Sequence, residues 1–206
     1  MFAFDVFDTD LVFYSAILCT TIVSLVFLGM SVSYTRKRAD KHYAGNRYPA
    51  PSVPGFGWIS KAMFISSMIL TLSGFWVDAW FLVTLYENAG MQLGGSLLVL
   101  FGFVNLKTAF RHLGRNYSPS FDAYLPSELV TSGPYRFIRH PVYLFNLCVS
   151  FGLAIASGSL LVMFNALVGL LFVLKIIAIE EASLRQHFPG YAVYTQNSWR
   201  LIPFCF

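Results

Sequence analysis

Residues 141 to 179 read PVYLFNLCVSFGLAIASGSLLVMFNALVGLLFVLKIIAI, and Lys175 is the one charge among them. At about 1.5 Å per residue, a single helix of this length would run to nearly twice the ~30 Å of a bilayer's hydrocarbon core. The stretch therefore has to fold back on itself. The small polar group Ala156-Ser157-Gly158-Ser159 divides it into two lengths that each suffice for one crossing, and a tight helical hairpin is expected there.

Working outward, residues 88 to 106 form another apolar run between Glu87 and Lys107, residues 57 to 86 form one interrupted by Asp78, and residues 11 to 33 carry no charge. Each is long enough to cross a bilayer, which makes five spans. The 206-residue chain is 56% apolar and only 12% charged, with its charges in a few clusters, as in a polytopic all-α membrane protein and unlike a soluble or disordered chain. The longest stretches between spans, 34 to 56, 107 to 140 and 180 to 206, leave no room for a second soluble domain. The chain reads as one membrane-embedded domain, 1 to 206, with two N-terminal spans in 1 to 93 and a core with its tail in 94 to 206.

Orientation follows from the basic residues, which accumulate in loops that stay in the cytoplasm. With the N-terminus outside and the C-terminus in the cytoplasm, all fourteen Lys and Arg fall at or near the inner face, while Asp5, Asp8, Asp10 and Glu87 lie opposite. The formal charge of +4 is then a basic inner face suited to anionic lipid headgroups, and nucleic acid is not implied. The acidic first ten residues lack the basic leading segment of a cleaved signal peptide. Cys19, Cys148 and Cys205 show no paired spacing, and the four histidines are spread out, so neither a disulfide framework nor a metal site is expected.

Polar variety collects in Gly133-Pro134-Tyr135-Arg136-Phe137-Ile138-Arg139-His140-Pro141-Val142-Tyr143 and again at Glu180-Glu181. Ionisable groups at the edge of an apolar bundle are costly and are usually functional, although Arg139 and His140 would also serve as interfacial anchors. A hairpin with a short outer turn sets the start of span four beside the end of span five, so the two halves of this cluster share one inner-face pocket mouth. Glu180 and Glu181 point about 100° apart on a helix. One of them is expected to face His140 and the other the C-terminal tail.

At these residues the chain resembles the isoprenylcysteine carboxyl methyltransferase family and its relatives, the membrane phospholipid and thiol methyltransferases. Leu113-Gly114-Arg115-Asn116-Tyr117-Ser118 resembles that family's Leu-Gly-x-Asn-Phe-Ser segment. Leu129-Val130-Thr131-Ser132-Gly133-Pro134-Tyr135 with Arg139-His140-Pro141-Val142-Tyr143 resembles its central signature, and Glu180-Glu181 with Phe188-Pro189-Gly190-Tyr191 and Tyr194 its C-terminal one. The similarity runs from about residue 94 to the end. One departure is Phe145, where the family often has Gly, and it bears on the acceptor rather than the cofactor.

The resemblance implies S-adenosyl-L-methionine as methyl donor, held between the last two spans and the tail. The residue chemistry suits such a ligand: His140 and Tyr143, with Pro141 in the same signature, for its amino-acid end; Glu180 or Glu181 for ribose or amine; Tyr135, Tyr191 and Tyr194 for the base. None of the fifteen glycines forms the G-x-G-x-x-G turn of a Rossmann cofactor site. Arg139 is the candidate catalytic residue, because a guanidinium grips a carboxylate bidentately, with a lipid-phosphate anchor as its other reading. The acceptor is expected to be lipidic or a small apolar molecule: an isoprenylcysteine-like carboxylate, a phospholipid amine or a thiol. Two other classes stand beside this one, an NADPH-dependent reductase of lipid double bonds and a non-enzymatic lipid-binding scaffold. The membrane is a bacterial cytoplasmic one or the endoplasmic reticulum, with the site facing the cytoplasm.

Overall fold

A computed structural model describes residues 62, 65, 66, 69, 88–117 and 126–203. Among them the regular structure is helical: α1 (Ala89–Leu113), α2 (Pro141–Ser157), α3 (Leu160–His187) and the short α4 (Tyr191–Gln196), with 3-10 turns at Gly114–Asn116 and Gly133–Arg136. An isolated parallel bridge pairs the extended backbone of Ile138 with that of Trp199.

The expected break in the long apolar run falls at Gly158-Ser159. Gly158 caps α2 in the left-handed region (φ 61), which glycine enters without a Cβ penalty. Pro141 opens α2 at a position whose backbone N–H would lack a helical partner anyway. The two helices then run antiparallel: Leu147 of α2 shares a buried cluster with Ile177 of α3, and the start of α2 meets the end of α3. α1 begins where expected, with the Asn88 side chain accepting from the backbone N–H of Met91 (3.0 Å). It continues past residue 106 to Leu113, because Arg111 and His112 in a last turn interact favourably with the helix dipole and reach water from there.

α1 and α2 pack antiparallel at very close range. A Cβ on Gly95 would press on the backbone of Ala156 and lie 2.7 Å from the Gly152 carbonyl, whereas one on Gly94 would meet nothing within 4 Å. Gly95, unlike its neighbour, is a small residue this crossing requires, as are Gly102 and Gly152, which is how membrane helices approach closely. Val99, Val149, Leu153, Val162 and Ala166 form the buried core of the three helices. Leu97, Leu100, Phe101 and Val104 on α1, and Phe164, Leu167 and Leu171 on α3, remain exposed, leaving apolar outer faces of the kind that membrane helices present.

α1 and α3 are long and apolar enough to cross a membrane; α2, with 17 residues, is shorter. The expected spans 11 to 33 and 57 to 86, Asp78 and the external N-terminus lie outside the described residues. The exceptions are four helical positions in the second span, where Ser66 Oγ accepts a hydrogen bond from Asn165 of α3 (3.0 Å).

Candidate functional site

The chain reaches α2 through the turn Gly133–Arg136. Gly133 has φ 59 and lies against the imidazole of His112, so a side chain there would be strained and would also collide with that ring. Beyond the turn, the C-terminal tail is laced to the same backbone. The N–H of Trp199 donates to the carbonyl of Phe137 (2.8 Å), that of Arg139 to Trp199 (2.7 Å), and that of His140 to Arg200 (3.2 Å).

Glu181, 2% exposed, is the centre of the cluster. Its Oε1 accepts from Arg139 Nε at 2.9 Å, and its Oε2 from Arg200 Nε and Nη2 at 3.1 and 2.9 Å. Arg185 Nη2 adds an ion pair at 3.5 Å, and His140 Nε2 lies 3.4 Å from Oε1 without hydrogen-bond alignment. A carboxylate this buried is tolerable only with such partners. Arg139 spends further donors on the carbonyls of Thr195 (3.2 Å) and Ser198. Glu181 and Arg139 together therefore bind the tail to the bundle.

Glu180 stands apart. Its side chain is 35% exposed, accepts from the Tyr143 hydroxyl (2.9 Å) and lies 3.9 Å from His140 Nδ1. The acid that meets the tail is thus Glu181, which also touches His140, while Glu180 keeps an open side. α4 supplies Tyr191, almost fully buried, and Tyr194, whose ring packs edge-on against it and whose hydroxyl donates to the Tyr135 carbonyl (2.5 Å). Pro141 is buried as the first residue of α2.

Three buried polar atoms here have no hydrogen-bond partner: the hydroxyls of Tyr135 and Tyr191, and His140 Nε2. Burial, helped by Glu180, pushes the Tyr135 hydroxyl far above its ordinary range. Burial and Glu181 raise Tyr191 against the opposing pull of Arg139. Tyr194 is pushed up to about 12, mainly by burial. All three phenols are neutral donors at physiological pH. A cavity of about 330 Å³ shares Tyr194 as a wall and is otherwise lined by Leu129, Thr131, Arg136, Val193 and Asn197, with Gly190 at its edge.

All nine residues expected from the sequence, Tyr135, Arg139, His140, Pro141, Tyr143, Glu180, Glu181, Tyr191 and Tyr194, come together at this end of the bundle. Arg200 was missed as a site residue: in the sequence it is one of many basic residues, and its only signal is its isolation between Trp199 and Leu201. Asn116 was also unassigned. Its side-chain carbonyl accepts from the Ser127 hydroxyl (2.6 Å) and its amide donates to Glu128 (2.9 Å), pinning the segment that leads to Leu129 and Thr131. Phe145 turns towards α1, sharing a cluster with Leu106, Ala109 and Tyr135 and meeting Phe101 edge-on. Among the described residues no group of three or more His, Cys, Asp or Glu is placed to hold a metal.

Fold and site define a helical membrane protein with a polar cluster closed over by its own tail at one end of the bundle. Residues 90–191 match the phospholipid methyltransferase family, and the chain belongs to that family of methyltransferases. It is also 38% identical over 80 residues to the cobalt-zinc-cadmium resistance protein CzcN of Cupriavidus metallidurans, covering 37% of this chain and 36% of that protein. The match thus spans about a third of the length of that relative.

Proposed function

We propose that the protein transfers a methyl group from S-adenosyl-L-methionine to a lipidic or small apolar acceptor, at a site facing the cytoplasm. The observation that carries this reading is the pair of unpartnered buried hydroxyls, Tyr135 Oη and Tyr191 Oη, with His140 Nε2 held only by an unaligned contact to Glu181, beside the half-open carboxylate of Glu180. Buried polar groups without partners are rare and costly, and a polar ligand would satisfy them. The donor set fits this cofactor. His140 and Tyr143 serve its amino-acid end, Glu180 its amine or ribose hydroxyls, and Tyr135, Tyr191 and Tyr194 its base, with the cavity beside Tyr194 as available room.

The bound cofactor supplies an electrophilic methyl group, and the protein's part is alignment and exclusion of water. Displacement at a methyl carbon needs the nucleophile in line with the leaving sulfur, and removal of water from an anionic nucleophile helps. The tail, fastened by Glu181 to Arg139 and Arg200, supplies that enclosure. Arg139, expected from the sequence to grip an acceptor, has Nε and one Nη committed to Glu181 and tail carbonyls. Its proposed role is accordingly to position the tail. The basic end of the bundle and the exposed apolar faces of α1 and α3 allow a polar donor from the cytosol and an apolar acceptor from the lipid to meet.

The test is label transfer. Purified protein with methyl-labelled cofactor and total membrane lipids of the source organism should yield a labelled, organic-extractable product that is lost in His140→Ala. Absence of any labelled product over a broad panel of lipid, thiol and carboxylate acceptors would count against the assignment.

A further inference from the structure

The path of the C-terminal tail carries a second conclusion, which rests on the membrane placement of α2 and α3 and not on methyl transfer. The bridge between Ile138 and Trp199 is parallel. Residues 199 to 202 therefore travel in the same direction as residues 138 to 141, that is, from the polar end of the bundle into its apolar part. Two successive hydrogen bonds fix this course, Arg139 N–H to the Trp199 carbonyl and His140 N–H to the Arg200 carbonyl.

The side chains agree with it. Arg200 turns inward to Glu181, and Leu201, 2% exposed, shares a buried cluster with Leu147 and Ile177. Leu147 is six residues into α2 and Ile177 four residues before Glu181, so at 1.5 Å per residue Leu201 packs about 6 to 9 Å inside the polar ring. Ile202, next in the chain, is 47% exposed, while Trp199 and Phe137, the pair joined by a backbone hydrogen bond at the rim, are 41% and 61% exposed. The Arg136 guanidinium lies over the Phe137 ring (5.7 Å), which sets a cation beside this aromatic pair. An aromatic pair with an adjacent arginine, followed by an aliphatic residue deeper in, is the order that a bilayer's interface selects.

We infer that the segment Trp199–Ile202, together with Phe137, is an interfacial membrane anchor that re-enters the lipid leaflet beside α2 and α3. Its partner is the lipid bilayer itself, continuous with the exposed apolar faces of the spans. The tail that carries Tyr191 and Tyr194 is thereby held twice, by Glu181 from within the bundle and by lipid at its end.

The experiment places a nitroxide at Ile202→Cys in a background with Cys19, Cys148 and Cys205 replaced by Ser, in nanodiscs of phosphatidylcholine and phosphatidylglycerol. Collision with oxygen is compared with collision with a water-soluble nickel chelate. Leu171→Cys on the lipid face of α3 and Gln186→Cys beyond the polar end serve as references. The inference expects position 202 to resemble 171, with oxygen favoured severalfold over its ratio at 186. A ratio at 202 equal to that at 186 overturns it. If 171 itself reads as aqueous, the membrane placement of α3 fails and the inference falls with it. Should labelling at 202 disturb folding, Trp199 fluorescence is read with Trp58, Trp76 and Trp80 replaced by Phe. Quenching by brominated lipid supports the anchor, and its absence overturns it.

Discussion

Replacing Glu181 by Gln removes one charge and almost no volume, and the structure makes its consequence large and local. The carboxylate is nearly inaccessible and receives Arg139 through one oxygen and Arg200 through the other. A neutral amide keeps one acceptor and turns an N–H₂ towards the second guanidinium. Breaking a buried ion pair by removing one partner costs about 3 to 5 kcal/mol. The Arg139 side chain is 10% exposed and feels most of this, whereas that of Arg200 is 31% exposed and partly screened, so about 3 kcal/mol is the fair expectation. Because both arginines tie down the tail, the loss should appear as easier opening of residues 191 to 201, not as collapse of the α1–α2 crossing. An opening made easier by about 3 kcal/mol raises amide exchange by about two orders of magnitude. Hydrogen exchange read by mass spectrometry in nanodiscs measures this directly. Glu180→Gln, which loses only the charge of a partly exposed group and keeps an acceptor for Tyr143, should leave tail exchange within a few-fold of the parent. Equal exchange in the two variants, or unchanged tail exchange in Glu181→Gln, would refute the reasoning.

Other outcomes follow from the same geometry. Gly95→Ala should lower thermal stability in detergent by about 1 to 3 kcal/mol, because its Cβ meets backbone that cannot yield, while Gly94→Ala, with open space around it, should be neutral or slightly stabilising. Tyr191→Phe removes a buried hydroxyl without a partner, so the ligand-free protein should gain up to about 1 kcal/mol while cofactor affinity drops. Alkaline titration should unfold the site end first. The folded state holds the Tyr194 proton up to about pH 12 and those of Tyr135 and Tyr191 higher still, so their stabilising effect is complete below the ordinary phenol range near pH 10 and is lost as pH rises through it towards 12. Scanning calorimetry at pH 8 and pH 11, with Tyr194→Phe showing the smaller drop, checks the sign.

The hairpin was legible because a long uncharged run has few ways to satisfy its backbone in lipid, and Gly158 is the residue that permits the reversal. Convergence of Arg139-His140 with Glu180-Glu181 then followed from topology alone. Partner choice did not follow, since adjacent carboxylates on a helix differ by rotation and only packing determines that Glu181 turns inward. Arg200 was illegible for a related reason. A tail arginine becomes part of the site only through the parallel run of residues 199 to 201 beside residues 138 to 140, and such long-range pairing leaves no local periodicity. The apolar run 88 to 106 marks a span and not a helix end, and α1 runs on to Leu113 because a helix continues into water when its last turn is basic.

The most direct measurement of the central claim is calorimetric titration of S-adenosylhomocysteine, the product form of the proposed cofactor, into the purified protein in detergent and in nanodiscs. The structure leads us to expect one binding event per chain at micromolar affinity or tighter, strongly weakened in His140→Ala and Glu180→Gln and present before any acceptor is added. Absence of binding in several detergents and in lipid, with the helices intact by circular dichroism, would contradict the account.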